Sequence, residues 1–223
     1  MSEMLPLFPL ATVLFPGMRL PLHVFEPRYR QLVADLLQRP EPRQFGVIAI
    51  RKGREVGAAN IHQLYEIGCV AEVREAVPQD DGRFELATVG MQRFKLLRAD
   101  DALPYFQAEI ERLPDEASAS DEDPEPTVRT IQAAFRDYLN ALADRAGAVI
   151  LVADIPDDPV LLSYVVAAGM IIDLPERQGL LEAPDAVSRL KSERSVLTRE
   201  RAMLRVTTSR PAPDLSRERF SPN

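Results

Sequence analysis

The hydrophobic pattern of the chain changes near its middle. Between Phe45 and about Leu113, apolar and polar residues alternate over several short runs, which is typical of strands with one buried face. Asp81 and Gly82 separate two of these runs and predict a hairpin, because glycine readily adopts the positive φ that a tight turn requires. We therefore expect a small β sheet that closes, or nearly closes, into a barrel.

Apolar residues at helical spacing occur once in the N-terminal half and throughout most of the chain after residue 127. The early helix is predicted over residues 26–38, where the apolar positions are Tyr29, Leu32, Val33, Leu36 and Leu37. In the second half, Asp158 is expected to cap a helix that starts at Pro159, because a proline is tolerated at the first helical position. The buried stripe of this helix is predicted to begin at Leu161, and Pro175 is expected to end it. The last long helix should bury Val187, Leu190, Leu197 and Leu204.

Composition divides the chain further. Residues 115–126 carry six acidic side chains and no basic one, which predicts an extended linker between a β-rich part, 1–114, and a helical bundle, 127–206. Residues 207–223 contain several prolines and are expected to be disordered. The predicted fold class is therefore α+β.

The apolar stretch from Leu5 to Leu32 raises the question of export or membrane insertion. No basic residue precedes it, and Pro6 and Pro9 would break a helix within its first turn. We therefore expect extended chain inside a soluble fold, with Leu14–Gly17, "LFPG", forming a turn. The single cysteine, Cys69, cannot form an internal disulfide, so a cytoplasmic protein without a membrane segment is expected.

Motifs for catalysis or metal binding are absent from the sequence. There is no GxxxxGK[ST], GxSxG or HExxH motif, and His23, His62 and Cys69 do not have the spacing of zinc ligands. Acidic pairs are interpreted as turn or cap residues. The three lysines are Lys52, Lys95 and Lys191. We interpret them as solvated side chains rather than as partners of a catalytic serine such as Ser192. We predict no catalytic residue, no metal ligand and no cofactor.

Charge leaves several interpretations of the last helix open. The net charge of −7 disfavours broad nucleic-acid binding. The last helix is nevertheless rich in arginine, and it could face solvent, pair with acidic residues of the same chain, or contact RNA or an acidic partner. The residues concerned are Arg189, Lys191, Arg194, Arg199, Arg201 and Arg205, together with Glu193 and Glu200.

Three stretches in order resemble the Lon substrate-binding, or Lon N-terminal, domain family. The first is "LPLFPLATVLFPGMRLPLHVFEPRYRQL". The second runs from "FGVIAI" to "GMQRFKLL" and includes a Gly-x-x-Arg-Phe segment at Gly90 to Phe94. The third, "LLSYVVAAGMIIDLPERQGLLEAPDAVSRLKSERSVL", contains a Gln-x-Leu-Leu-Glu turn and an Arg-Leu pair. The similarity covers about residues 4 to 206.

This resemblance implies a PUA-like β pseudo-barrel followed by a C-terminal helical bundle. In full-length Lon proteases the region is fused to an AAA+ motor and a Ser–Lys peptidase, and it helps to engage substrates. We therefore expect a stand-alone, non-catalytic recognition module for exposed peptide segments or a protein partner, linked to proteolysis or protein quality control. Phe25, Arg28 and Tyr29 are the expected anchors. One alternative is that Phe25 and Tyr29 belong to the core and Arg28 forms a surface pair. Another is that the chain binds RNA.

Overall fold

The structure is a computed structural model that describes residues 2–51, 63–118, 123–147 and 155–208, with side chains as far as residue 204. Lys52, His62 and the predicted tail beyond Thr208 lie outside the described residues. The β-rich half contains β1 Ser2–Leu10, β2 Arg19–Val24, α1 Pro27–Leu37, β3 Gln44–Ala49, β4 Ile67–Pro78, β5 Phe84–Asp100 and β6 Gln107–Arg112. The helical half contains α2 Glu125–Ala146, α3 Pro159–Gly169, α4 Leu174–Glu182 and α5 Ala186–Thr208.

The strands form one mixed sheet that closes on itself. Their order is β2-β5-β4-β3-β1-β6, and β5 also pairs with β6. The closure is possible because β5 is long: its first half pairs with β2, and its second half pairs with β6. The β1–β3 pair is parallel, while the other pairs are antiparallel. The expected α+β fold with a barrel followed by helices is confirmed.

Among the described residues, this arrangement gives three apolar cores. One fills the closed barrel, a second lies between the sheet and α1, and the third holds the helical bundle together. Successive side chains of β4 alternate between two cores: Cys69 and Ala71 enter the core under α1, whereas Val70 enters the barrel. All three are fully buried because both faces of this strand are covered.

The predicted "LFPG" turn is confirmed, and it lies against the Gly-x-x-Arg-Phe segment. The Met18 N–H donates to the Phe15 carbonyl, and Gly17 has a φ of 78°. The Gly17 N–H then donates to the Gly90 carbonyl at 2.8 Å. A Cβ on Gly90 would lie 2.3 Å from the Phe15 carbonyl oxygen, so this close approach requires glycine.

Several features that the sequence predicts for the helices are confirmed. Helix α1 buries Tyr29 and its apolar neighbours as predicted, and the Asp158 side chain accepts from the Leu161 N–H as a cap of α3. Two predictions about α3 were wrong. Leu161 is 44% exposed, because it lies in the first turn beside Gly17 rather than inside the bundle. Pro175 does not end α3, which stops at Gly169; it lies in the first turn of α4.

A buried arginine joins the barrel to the bundle. Arg93 of β5 is 3% exposed, and its Nε donates to the Asp115 carboxylate at 2.9 Å. Its other nitrogens donate to backbone carbonyls at the α4–α5 corner, namely those of Leu181, Ala183 and Pro184, and to that of Pro114. Because these acceptors come from several segments, one guanidinium fixes the position of the bundle on the barrel.

A second buried arginine, Arg189, lies on the bundle side of this joint. Arg189 of α5 donates to the Leu180 carbonyl at 2.8 Å and to the Ser163 hydroxyl, and its guanidinium lies 4.2 Å from the centre of the Tyr164 ring. The Tyr164 hydroxyl donates to the same Asp115 carboxylate that receives Arg93. The interpretation of Arg189 as part of a solvated arginine-rich face was therefore wrong.

Glu193, one turn after Arg189, does not face solvent either. It is fully buried, and neither carboxylate oxygen has a hydrogen-bond partner within the described part of the chain. Burial raises the pKa of Glu193 well above its usual range, while the charge of Arg189 opposes the shift. Other cations of α5 pair with acidic residues of the same chain, which is one of the alternatives the sequence left open: Arg199 binds Glu176, and Arg201 binds Asp137.

Candidate functional site

The three predicted anchors lie where β2 runs into α1. Strand β2 ends at Val24, and Phe25 and Glu26 connect it to Pro27, the first residue of the helix. The fixed φ of a proline suits this position, and the Glu26 carbonyl accepts from the Tyr29 and Arg30 N–H groups. The helix start therefore holds all three anchor positions within about one turn of each other.

Tyr29 and Arg28 are stacked rather than extended into solvent. Tyr29 is 4% exposed, and its ring lies on Phe8 with a centroid distance of 4.0 Å and an angle of 15°. The Arg28 guanidinium lies 4.4 Å from the centre of the Tyr29 ring and 3.0 Å from the Glu26 carboxylate. Tyr29 and Phe25 both line the cleft described below, whereas Arg28 contacts the Tyr29 ring without lining that cleft.

Phe25 is the exposed member of the set. Half of its surface remains accessible, although it directly follows the buried Val24 at the end of β2. The His23 ring lies beside it, with ring centres 6.1 Å apart, and His23 itself lies 2.5 Å from the Glu85 carboxylate. An exposed aromatic ring next to a buried one is a common feature of binding surfaces.

A small cleft of about 100 Å³ opens beside Phe25. Its walls come from the end of β1 at Phe8–Leu10, from residues 22–26 and from Tyr29. Sites for small organic ligands usually have volumes of roughly 300–1,000 Å³. The cleft is therefore too small for a cofactor, but its size and mostly apolar walls suit a single side chain.

The strands that border the cleft cannot readily accept another strand. The Leu7 N–H donates to the Phe106 carbonyl, so Pro9, two residues later, has its nitrogen on the same side of β1. On β2, the Leu20 carbonyl accepts from the Thr88 hydroxyl of β5, which leaves the nitrogen of Pro21 on the open edge. Both edges thus lack an N–H donor where an added strand would need one. The geometry favours capture of a side chain over strand addition.

The other chemically interesting side chains lie apart from this cleft. Cys69 is fully buried, and burial strongly raises the pKa of its thiol. Lys95 and Lys191 are exposed on β5 and α5. Within the described ranges, no group of three or more His, Cys, Asp or Glu side chains could hold a metal ion. In the same ranges, no helix is both long and apolar enough to cross a membrane.

The described fold is thus a closed mixed barrel joined to a helical bundle. Residues 4–199 match the family model of the ATP-dependent protease La (LON) substrate-binding domain. The chain belongs to this family.

Relatives and solved structures agree with this assignment. The chain is 28% identical over 206 residues to a Lon protease of Anaeromyxobacter dehalogenans, and 26% identical over 204 residues to that of Escherichia coli; each match covers 91% of this chain. It spans about a quarter of the length of these relatives, 24% and 25% respectively.

Two structures share the fold. A Lon N-terminal domain protein from Xanthomonas campestris superposes with a TM-score of 0.61 at 23% identity, covering 88% of this chain and 98% of the other. The N-terminal domain of a Mycobacterium avium complex Lon protease gives a TM-score of 0.63 at 20% identity, covering 90% of this chain and 98% of the other.

Proposed function

We propose that this chain recognises polypeptides by capturing an exposed apolar side chain in the cleft beside Phe25. The observation that carries the proposal is the pairing of a half-exposed aromatic ring with a cleft of about 100 Å³ whose floor is a buried aromatic stack. Unfolded polypeptides expose apolar side chains that folded proteins bury, so such a cleft distinguishes the two. We further propose that this recognition serves proteolysis or protein quality control.

The anchors have different proposed roles. Phe25 covers the incoming side chain and loses solvent contact when it does so. Tyr29 supplies the apolar floor, and its stacking on Phe8 keeps that floor rigid before binding. Arg28 keeps the Tyr29 ring in place and offers part of its guanidinium to the backbone or to an acidic group of the bound segment.

Binding of a permanently unfolded, reduced and alkylated polypeptide tests this proposal by fluorescence anisotropy. Phe25→Ser removes the exposed ring and should weaken binding by about fivefold, because roughly half of a phenylalanine's burial energy of 1.5–3 kcal/mol is lost. Leu103→Ser is the matched control, because Leu103 is similarly exposed, at 41%, and does not line the cleft. Equal binding by both variants would contradict the proposal.

A further inference from the structure

The cleft beside Phe25 is an opening in the core under α1. Phe8 belongs to that core, and Leu10, two positions later on β1, packs against it. Leu22 and Val24 of β2 belong to the same core. Side chains at every second position of a strand point to the same face, and all four of these residues line the cleft. A side chain that enters the cleft therefore extends an existing apolar core.

The ionisable side chains at the cleft are already paired. The Arg28 guanidinium binds the Glu26 carboxylate, with nitrogen–oxygen distances of 3.1 and 3.0 Å. The His23 ring lies against the Glu85 carboxylate at 2.5 Å. A charged side chain that entered the cleft would lose its water and would have to displace one of these pairs. The arrangement therefore favours an uncharged, apolar occupant.

The volume of the cleft limits which apolar side chain can enter. It is about 100 Å³, whereas a cavity of about 150 Å³ with apolar walls holds one benzene molecule. The ring of a phenylalanine needs about as much space as benzene, and that of a tryptophan needs more. A leucine or isoleucine side chain has fewer carbon atoms than either ring. The floor cannot recede to admit a ring, because Tyr29 is stacked on Phe8 in a close-packed core.

We propose that the cleft selects branched aliphatic side chains, leucine and isoleucine, and excludes aromatic ones. This inference rests on the proposed function, because it names the class of side chain that the cleft captures. Leu10 sets the size limit. It is half-buried in the wall of the cleft, and its carbonyl accepts from the Ile50 N–H at 2.9 Å, so the pairing of β1 with β3 holds its backbone in place.

Hydrophobicity alone predicts no such selection. Leucine, isoleucine and phenylalanine side chains gain similar free energies when they are buried. An open apolar surface with an exposed ring would favour the aromatic side chain, because two rings stack favourably on each other. A preference for leucine over phenylalanine is therefore the signature of a limit on size.

The test is a competition experiment with the full chain and a fluorescent, permanently unfolded polypeptide. The competitors are unstructured peptides rich in glycine and serine that differ only in a repeated guest residue, which is leucine, isoleucine or phenylalanine. The leucine peptide should displace half of the polypeptide at a concentration about tenfold lower than the phenylalanine peptide, because the ring stays outside the cleft. The isoleucine peptide should match the leucine peptide. Equal or better competition by the phenylalanine peptide would overturn the proposal.

Leu10→Ala enlarges the cleft and should remove the selection, so that the phenylalanine peptide competes about as well as the leucine peptide. Leu20→Ala is the matched control, because Leu20 is also half-buried against the core under α1 but does not line the cleft. This control should keep the preference of the unaltered chain, and thermal unfolding verifies that both variants are folded. An unchanged preference in folded Leu10→Ala would overturn the role of Leu10 as the size limit.

The two proposals about the cleft fail in different ways. If Phe25→Ser weakens binding of the unfolded polypeptide while the leucine and phenylalanine peptides compete equally, capture at the cleft stands and selection by size is wrong. If Phe25→Ser leaves that binding unchanged, capture at the cleft is wrong and the selection is wrong with it.

Discussion

The Arg93 Nε lies 2.9 Å from the Asp115 carboxylate, and this contact is part of the joint between barrel and bundle. Asp115 belongs to the stretch 115–126 that the sequence marks as a linker. The first residues of that stretch are bonded to the bundle, since the Glu116 and Ala117 carbonyls accept from the N–H groups of Ala186 and Val187. Helix α2 begins at Glu125, within the same stretch.

Arg93→Met is expected to destabilise the protein strongly. The substitution leaves the Asp115 carboxylate and several carbonyls at the α4–α5 corner without their donor, in a site where Arg93 is 3% exposed. Breaking a buried ion pair by removing one partner typically costs about 3–5 kcal/mol. Equilibrium unfolding in urea measures the loss.

The matched control for this change is Arg74→Met on the neighbouring strand. Arg74 is 53% exposed and pairs with Glu72 at 2.8 Å, so its loss should cost no more than about 1 kcal/mol. A similar free energy of unfolding for both variants would show that Arg93 does not hold the two halves together.

Stability should decrease as pH rises through the titration of Glu193. The folded protein binds the proton of this buried carboxyl more tightly than the unfolded chain does. In the unfolded chain the pKa of Glu193 is near 4.5, and in the folded protein it is raised well above that value. The stabilisation is therefore complete below pH 4.5 and is lost as pH rises towards the raised pKa of the folded state. Glu193→Gln should accordingly raise the Tm at pH 7 and have little effect at pH 4.

Glu176→Gln provides the comparison for this pH effect. Glu176 is partly exposed and pairs with Arg199, so its removal should give no gain in Tm at pH 7. A lower Tm for Glu193→Gln at pH 7 would mean that the Glu193 carboxylate is charged and stabilising in the folded protein, which contradicts the prediction.

Two glycines should respond to alanine in opposite ways. Gly90→Ala places a Cβ 2.3 Å from the Phe15 carbonyl oxygen, so the "LFPG" turn must move and the protein should lose about 1–3 kcal/mol. Gly179 lies inside α4 with nothing within 4 Å of an added Cβ, and Gly179→Ala should stabilise by about 0.5–1 kcal/mol. Thermal unfolding of the pair measures both effects, and a neutral Gly90→Ala would contradict the close packing at the turn.

Features that depend on neighbours in the chain could be predicted from the sequence. Helix α1, the "LFPG" turn and the Asp158 cap each arise from residues a few positions apart, so spacing and turn chemistry were sufficient. The Asp81–Gly82 hairpin is similar: the Gly82 N–H donates to the Gln79 carbonyl, and Gly82 has a φ of 78°.

Features that depend on distant partners could not be predicted in the same way. Arg93 and Arg189 have the local appearance of surface residues, but their acceptors are carbonyl groups that only the folded chain brings together. Glu193 shows the same limitation, because helical spacing places it in the buried stripe while its charge suggests the surface.

The motifs that carry the family resemblance act mainly on the fold. The Gly90 carbonyl accepts a hydrogen bond from Gly17 of the "LFPG" turn, and Arg93 and Arg189 lie in the joint between barrel and bundle. Gln178 of the Gln-x-Leu-Leu-Glu turn donates to the Ile67 carbonyl of β4 at 2.9 Å, which attaches α4 to the barrel. The proposed cleft instead depends on Phe25 and Tyr29 from the end of the first motif.

The most direct test of the central proposal is site-specific photo-crosslinking to an unfolded polypeptide. A photoreactive phenylalanine analogue at position 25 should crosslink to a reduced and alkylated, permanently unfolded polypeptide and give no product with the same polypeptide in its native state. The analogue at position 171 is the control, since Ile171 is 71% exposed and does not line the cleft beside Phe25. Crosslinking from position 25 well above that from position 171 is the predicted result. Equal crosslinking from both positions, or none from position 25, would contradict the proposal.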